Sequence, residues 1–265
     1  MLPTTMQWQD LTIGLPGVYQ VLRLDGWEDM PPLDSGDEPR PARHGDWAGT
    51  PYAQARTVTL TGRIRAPRGE VLDRVRDLRR VCAVPDDDTL WPLTITALGE
   101  SLTVDARVSQ RIISHEKYVR LGHVPFTLQW ACPDPVRYDP DPVHLAVPAG
   151  GSRPAPQEGT TATRPVVTVY GPCTNPRITV ARPGGASRSV GFATTMFTGD
   201  TLTIDCGTGT VTTSWGDDVT GTLTPGSVPI EYLTIPTGTS TVALAVTGTT
   251  TAATRAHVTY RHAYL

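Results

Sequence analysis

The chain has 265 residues, of which 38% are hydrophobic and 18% charged, with 25 glycines and 25 prolines. This length suits one large domain or two ordinary ones. Glycine plus proline make up about a fifth of the chain, which is too much for a helical bundle and less than the roughly 25 to 30% typical of disorder. The composition predicts a turn-rich, mainly β protein.

The charge balance and the apolar runs exclude several classes of protein. With 23 basic and 26 acidic residues the net charge is -3, so the basic excess with which nucleic-acid binders release counterions from phosphates is missing. The longest apolar runs, such as residues 242–246, are far shorter than a membrane span, and no basic segment precedes an apolar stretch near Met1. We expect no sequence-specific nucleic-acid partner, no membrane partner and no secretion signal.

The first distinctive segment is an acidic loop near the N-terminus. Between positions 25 and 38 there are six acidic residues and no basic one, and prolines and a glycine interrupt the run. Two interpretations stay open here: a mobile solvated loop, or a charged surface whose role depends on the whole protein. The six candidate residues are Asp25, Glu28, Asp29, Asp34, Asp37 and Glu38.

Strands and one helix follow the acidic loop. Residues 56–65 alternate apolar and polar side chains, which predicts a strand with one buried face, and Gly62 on that face suggests a bulge. Apolar residues over 71–82 recur at helical spacing, with oppositely charged pairs on the other side, and predict a surface helix packed on a sheet. Alternation predicts three further strands, at 93–97, 102–108 and 126–130. A hairpin turn at Gly99–Glu100 joins the first two of them.

The second half differs in composition from the first. Residues 132–164 are dense in proline, which removes backbone donors and favours extended chain, so this segment is predicted to be a stiff linker. Beyond it, Thr-rich alternating runs separated by turn signals indicate an antiparallel sandwich or jelly roll. These runs lie at 166–169, 178–180, 202–206, 233–235, 242–246 and 258–260. The predicted regions are a domain over 1–131, the linker over 132–164 and a β-sandwich domain over 165–265.

Motifs that carry catalysis are absent from the sequence. There is no nucleophile elbow, no phosphate-binding loop and no His-Glu-x-x-His. His115–Glu116 lacks the second histidine of a metalloprotease site and is interpreted as a hairpin turn. Asp86–Asp88 lacks the spacing of an EF-hand and is interpreted as a solvated loop. We expect no enzymatic activity, no catalytic residue, no cofactor and no metal.

The cysteines are widely spaced, with no Cys-x-x-Cys pair, which disfavours a structural zinc site or a redox motif. They are Cys82, Cys132, Cys173 and Cys206. We expect four free, reduced and buried thiols.

The order of these features resembles the distal tail proteins of long-tailed, non-contractile bacteriophages. The resemblance covers about residues 6–140 and combines an N-terminal strand region with Trp8, the acidic loop, the strand Arg-Thr-Val-Thr-Leu-Thr-Gly-Arg-Ile, the helix and the hairpin. Its most family-like part is the strand ending Phe126-Thr-Leu-Gln-Trp-Ala-Cys-Pro-Asp-Pro, followed by Tyr138. The second half is similar to the galectin-like sandwich that follows in such proteins, without implying that it binds sugar.

The resemblance implies a fold and a structural role. The fold is mainly β, with an N-terminal sandwich or barrel-like ring domain that carries one α-helix, followed by a C-terminal antiparallel sandwich. The role is a ring, usually a hexamer, that joins the tail tube protein to the tail-tip hub protein, anchors receptor-binding protein and lets DNA pass through its channel. The protein would be part of the virion and assemble in the host bacterial cytoplasm. Within such a ring the acidic loop would face the lumen or the adjoining interface.

Two alternatives remain. One is a carbohydrate-binding or adaptor module of another tail-like particle, such as a gene-transfer particle or an injection machine. The other is an enzyme or a lone carbohydrate-binding module outside any such particle.

Overall fold

A computed structural model describes residues 4–114, 121–182 and 184–265. The chain forms two compact units, Met1–Pro140 together with Leu265, and Asp141–Tyr264. We call them the first and the second unit. The predicted hairpin turn at His115–Glu116 lies outside the described residues.

The first unit is an antiparallel sheet with a helix packed on it. Seven strands run in the order β2-β1-β9-β10-β11-β8-β3, and β12 pairs with β10. The end strands β2 and β3 also contact each other, so the sheet curls towards a barrel. The elements are β1 Thr5–Trp8, β2 Leu11–Gly14, β3 Tyr19–Asp25, β4 Leu33–Asp34, β5 Glu38–Pro39, β6 Asp46–Trp47, β7 Tyr52–Ala53, β8 Arg56–Arg65, α1 Val71–Val81, β9 Trp91–Ala97, β10 Glu100–Ile113, β11 His123–Cys132 and β12 Arg137–Tyr138.

Helix α1 confirms the helical pattern and ends one residue before the predicted end. Its buried residues recur every three or four positions and face the sheet, and its first and last turns carry Asp73 and two arginines, as the helix dipole favours. Arg111 of β10 donates hydrogen bonds to the carbonyl oxygens of Arg79 and Cys82, at 2.7 and 2.8 Å. Carbonyls at the C-terminal end of the helix therefore have a charged donor.

The hairpin between β9 and β10 turns one residue earlier than predicted. Leu98 and Gly99 both have positive φ, at 53° and 94°, which is the conformation of a type I′ two-residue turn. A bulge lies at Gly62, but its extra residue belongs to the neighbouring strand. Strand β3 shifts register between Val21, which pairs with Gly62, and Arg23, whereas β8 pairs regularly with β11 through Gly62. A Cβ atom at Gly62 would lie 2.5 Å from the ring of Phe126. Close packing explains this glycine.

The second unit is a sandwich of two antiparallel sheets. One sheet has the order β13-β22-β15-β19-β20, and the other has β14-β21-β16-β17 with β18 on β16. Apolar side chains of both sheets form one core, while threonines alternate with them along the strands. The strands are β13 Val143–Pro148, β14 Ser152–Gln157, β15 Val166–Tyr170, β16 Cys173–Ala181, β17 Arg188–Gly191, β18 Thr195–Met196, β19 Thr201–Asp205, β20 Thr210–Thr213, β21 Gly238–Thr247, β22 Arg255–Tyr260 and β23 Ala263–Tyr264.

The structure corrects the predicted linker over 132–164. This segment contains β13 and β14, which belong to the second unit, and the boundary between the units falls after Pro140. Both strands lie at the edge of their sheet, where a proline can stand without breaking a ladder hydrogen bond. In this segment the many prolines therefore belong to edge strands and not to a linker.

One predicted strand of the second unit is also wrong. Residues 233–235 form a single bridge from Ile235 to Thr163, after a 3-10 turn at Ile230–Tyr232. The other five predicted runs lie within or overlap β15, β16, β19, β21 and β22.

Candidate assembly surface

A buried arginine fixes the start of the acidic loop. Arg56, the first residue of β8, is 1% exposed. Its Nη1 donates to the carbonyl oxygens of Gly26, Trp27 and Asp29 at 2.9, 2.9 and 2.7 Å, and its Nε donates to that of Pro135 at 3.0 Å. Burial is the main cause that lowers the pKa of the Arg56 guanidinium. The strand thus holds the chain that leaves β3 in one defined path.

A second arginine supports the same turn. Arg137 is buried and its Nη1 lies 3.0 Å from the Glu28 carboxylate. The Arg137 guanidinium also lies 5.5 Å from the ring centre of the buried Trp27. The Asp29 carboxylate accepts a hydrogen bond from the backbone of Gly26 at 2.8 Å. Carboxylates of the acidic loop therefore take part in local structure at its root.

The rest of the loop projects as a small arm over residues 30–53. Two short ladders build it: Asp34 pairs with Tyr52 between β4 and β7, and Glu38 pairs with Trp47 between β5 and β6. The Asp37 carboxylate accepts a hydrogen bond from Gly49 N at 2.7 Å. Large apolar side chains are exposed along this arm, namely Met30, Leu33, Trp47 and Tyr52.

The six acidic residues of the sequence prediction therefore separate into two groups. Asp25, which is paired with Arg23 at 2.8 Å, lies with Glu28 and Asp29 at the root. The other three, Asp34, Asp37 and Glu38, lie exposed on the arm. They do not converge on one binding site.

A pocket with a basic rim lies elsewhere on the first unit. Its volume is about 190 Å³, and it lies between the end of α1, the start of β9 and parts of β1 and β10. Apolar lining comes from Val84, Pro85 and Trp91, and the charged side chains of the lining are Arg80 and Arg107. The sequence analysis did not identify this pocket, because parts of four separate elements form it.

Two exposed aromatic residues lie on turns of the second unit. Trp215 is 81% exposed in the turn after β20, and Phe197 is 70% exposed in the turn before β19. Ser214 N donates to Thr201 O at 2.9 Å, so these turns meet at the same end of β19.

All four cysteines are free and buried, as expected. Burial raises the pKa of Cys82 to about 11 and that of Cys132 and Cys206 to about 12, and it also raises the pKa of Cys173. Because the thiolate is the reactive form, these thiols are protected from oxidation and alkylation.

In the described ranges of the chain, no group of three or more His, Cys, Asp or Glu side chains is placed to hold a metal ion. Asp86–Asp88 lies exposed in the segment after α1. No helix among the described residues is long and apolar enough to cross a bilayer.

Comparison with known proteins relates the chain to phage tail proteins through structure. No protein-family model and no curated protein matches the sequence. The crystal structure of the SPP1 Dit (gp 19.1) protein, described as a paradigm of the hub adsorption apparatus in phages that infect Gram-positive hosts, matches with a TM-score of 0.73 and 16% identity. The match covers 99% of each chain.

Two structures of the phage p2 baseplate in its activated conformation, one with Ca and one with Sr, also match. Their TM-scores are 0.55 and 0.54 at 9% identity, and each match covers 98% of this chain and 97% of the other. At identities this low, the TM-scores establish a shared fold and nothing more. The mainly β fold that the sequence resemblance predicted is confirmed, and it is shared with SPP1 Dit.

Proposed function

We propose that this chain is a structural protein of a virion, a distal tail component that forms a ring between the tail tube and the tail-tip hub. The observation that carries the proposal is the agreement with SPP1 Dit along 99% of both chains, so that both units have a counterpart. The order of motifs in residues 6–140 supports it independently. The ring anchors receptor-binding protein, and its central channel conducts DNA.

The ring is a cyclic oligomer, in our proposal a hexamer, whose interfaces lie in residues 1–131 while residues 165–265 face outwards. The arm of the first unit supports this, because exposed large apolar side chains on a projecting element are typical of interaction sites. A contact between two different surfaces closes into a ring when its rotation allows.

The acidic loop lies at the channel or at the interface beside it. Carboxylates that line a channel repel DNA, whereas basic side chains would release counterions and bind it. Asp37 and Glu38 are exposed on the arm and suited to this role. Replacing both with Lys in assembled particles should slow genome ejection, measured by release of dye-accessible DNA. Unchanged ejection kinetics would remove the channel role and leave the ring unaffected.

We propose that the protein assembles in the bacterial cytoplasm and has no enzymatic activity. Four free cysteines agree with a reducing compartment. The partners in the virion are other copies of the chain, the tail tube protein, the tail-tip hub protein and receptor-binding protein.

Negative-stain imaging of the purified chain, alone and mixed with tail tubes, tests the central proposal. We expect rings with six-fold symmetry, either free or capping one end of the tubes. Monomers under both conditions, confirmed by light scattering at high concentration, would contradict the proposal.

The exposed aromatics favour a second candidate function, which is that of a carbohydrate-binding module. Trp215 and Phe197 present flat apolar surfaces beside hydroxyl and carboxylate groups, and binding sites combine apolar contact with a few polar groups in this way. A glycan array probed with the full chain and with a Trp215→Ala variant tests it. Binding that the variant loses would support this function.

A further inference from the structure

Two surfaces of the first unit have complementary chemistry. On the arm, Asp34 and Tyr52 are directly paired across β4 and β7, and Tyr52 is 69% exposed. On the pocket, the apolar side chains Val84, Pro85 and Trp91 lie together with Arg80 and Arg107 in a lining that is both apolar and polar. One surface therefore offers an aromatic ring beside a carboxylate, and the other offers apolar contacts beside two guanidinium groups.

We propose that the Tyr52–Asp34 corner of the arm inserts into the basic-rimmed pocket of a second copy of this chain. The Tyr52 ring packs against the apolar side chains of the pocket, and the Asp34 carboxylate lies against Arg107 of the neighbour. This inference rests on the proposed ring and names the two surfaces that make its interface.

The size of the pocket fits one aromatic side chain. An enclosed cavity of about 150 Å³ holds a benzene ring in an engineered protein, and this open pocket has a volume of about 190 Å³, so its volume is sufficient for the ring of Tyr52. Buried aromatic anchors that fill pockets at the centre of an interface contribute much of its binding energy. The inserted tyrosine forms the centre of a larger contact.

Charge favours the arm as the occupant. The arm has four acidic residues and two arginines, with acids at Asp34, Asp37, Glu38 and Asp46. Arg80 has an exposed partner in Asp10, with 3.3 Å between Nη2 and Oδ2. Both guanidinium groups would attract a carboxylate of the arm that approaches this rim. Charge complementarity of this kind fixes the orientation of a contact and excludes other partners.

Tyr52 suits the pocket better than Trp47, the other exposed aromatic of the arm. The Arg40 guanidinium stacks over the Trp47 ring at 4.6 Å from its centre. Insertion of Trp47 would bring this cation towards Arg80 and Arg107, or would break the stacking. Both rings are paired with an acid, Tyr52 with Asp34 and Trp47 with Glu38. Because the Trp47 ring also carries the Arg40 cation, insertion of Tyr52 brings the more negative charge to the rim.

The positions of the two surfaces favour a ring. The arm leaves β3 and returns to β8, whereas the pocket lies between β1, β9, β10 and the end of α1. None of the residues that line the pocket belongs to the arm. A contact between two different surfaces is heterologous, and repetition of it from copy to copy gives rings or filaments.

A charge exchange tests the proposal. Arg107→Glu and Asp34→Arg, each alone in the full chain, should weaken self-association about tenfold, while the variant that carries both should recover most of the wild-type affinity. Sedimentation velocity, with and without tail tubes, measures the association. Arg153→Glu, an exposed arginine of the second unit, is the matched control and should leave association unchanged.

The aromatic insertion has its own test. Tyr52→Ala should reduce association about as much as either charge reversal, whereas Trp47→Ala should have a smaller effect, and unchanged thermal unfolding would show that both variants fold. If wild-type chain assembles and the double exchange is weaker than either single variant, or Tyr52→Ala assembles normally, the named interface is wrong while the ring stands. If wild-type chain never assembles, the ring itself fails.

Discussion

Replacing Arg56 with Ala should destabilise the first unit strongly. The substitution removes the donor of four hydrogen bonds and leaves the carbonyl oxygens of Gly26, Trp27, Asp29 and Pro135 without it. A buried acceptor left without a donor costs about 1 to 3 kcal/mol. Only the bond to Trp27 is fully buried, so water can compensate part of the loss at the other three.

The arginine also carries a cost that its removal relieves. Its Nη2 has no hydrogen-bond partner among the described residues, and burial disfavours its charge. Weighing these effects, we expect the free energy of unfolding of the first unit to fall by about 2 to 4 kcal/mol, because one fully buried and three partly buried carbonyl oxygens lose a charged donor. Domains are stable by only about 5 to 15 kcal/mol, so the variant should fold marginally.

Urea unfolding followed by tryptophan fluorescence measures this effect. The first unit contains Trp8, Trp27, Trp47, Trp91 and Trp130, whereas the second has only the exposed Trp215. The signal therefore reports mainly the first unit, and circular dichroism should show the second unit unfolding as in wild type.

Arg63→Ala is the matched control for this measurement. Arg63 also lies on β8, but it is partly exposed and its Nε donates to the Gln20 side chain at 2.8 Å. Its loss should cost about 1 kcal/mol or less. A cost for Arg56→Ala equal to that of the control would refute the assignment of Arg56 as the residue that fixes the root of the arm.

Three further outcomes are expected. Gly62→Ala should lower the unfolding free energy of the first unit by about 1 to 3 kcal/mol, because the new methyl group overlaps the ring of Phe126; an unchanged urea midpoint would contradict this. Intact mass after alkylation without reductant should show four adducts when the protein is in denaturant, and fewer adducts would indicate a disulfide. In the folded protein Cys132 and Cys206 should react slowly, since burial raises the pKa of each to about 12. Burial also raises the pKa of Tyr19 to about 12 from 10, so its contribution to stability is complete below pH 10 and is lost between pH 10 and 12; Tyr19→Phe should flatten that decline in urea unfolding, and an equal decline in both proteins would contradict it.

The sequence predicted the elements whose pattern is long and regular. The ten residues of β8 and the eleven of α1 bury one face at a fixed period, and such patterns depend mainly on the local sequence. The same pattern carried a signal that we did not use: Arg56 is in register with Val58 and Leu60 on the buried face. A charged residue at a buried position of a strand predicts a set of partners around it.

The arm could not be predicted from the sequence. Its four strands have two residues each, too few to show alternation. Their pairing depends on contacts between positions such as Asp34 and Tyr52 that are far apart in the chain. The pocket was missed for a related reason, because its lining comes from distant segments.

The edges of the second unit indicate why association should involve the first. An exposed strand edge offers unpaired backbone groups to other chains. Edge strand β14 contains Pro154 and Pro156, whose nitrogens cannot donate, and β13 ends at Pro148. At the other edges, Ser189 O of β17 accepts a hydrogen bond from Val228 N, and β20 is bridged by residue 218.

Strand addition between copies is therefore disfavoured at each edge of the second unit. In the first unit the end strands β2 and β3 lie close to each other at the two ends of the strand order. This unit also presents a projecting arm with exposed aromatics together with a pocket that can receive one, so we expect association of copies to involve side chains of the first unit. Side-chain insertion also has a defined geometry, and a closed ring needs the same rotation at every interface.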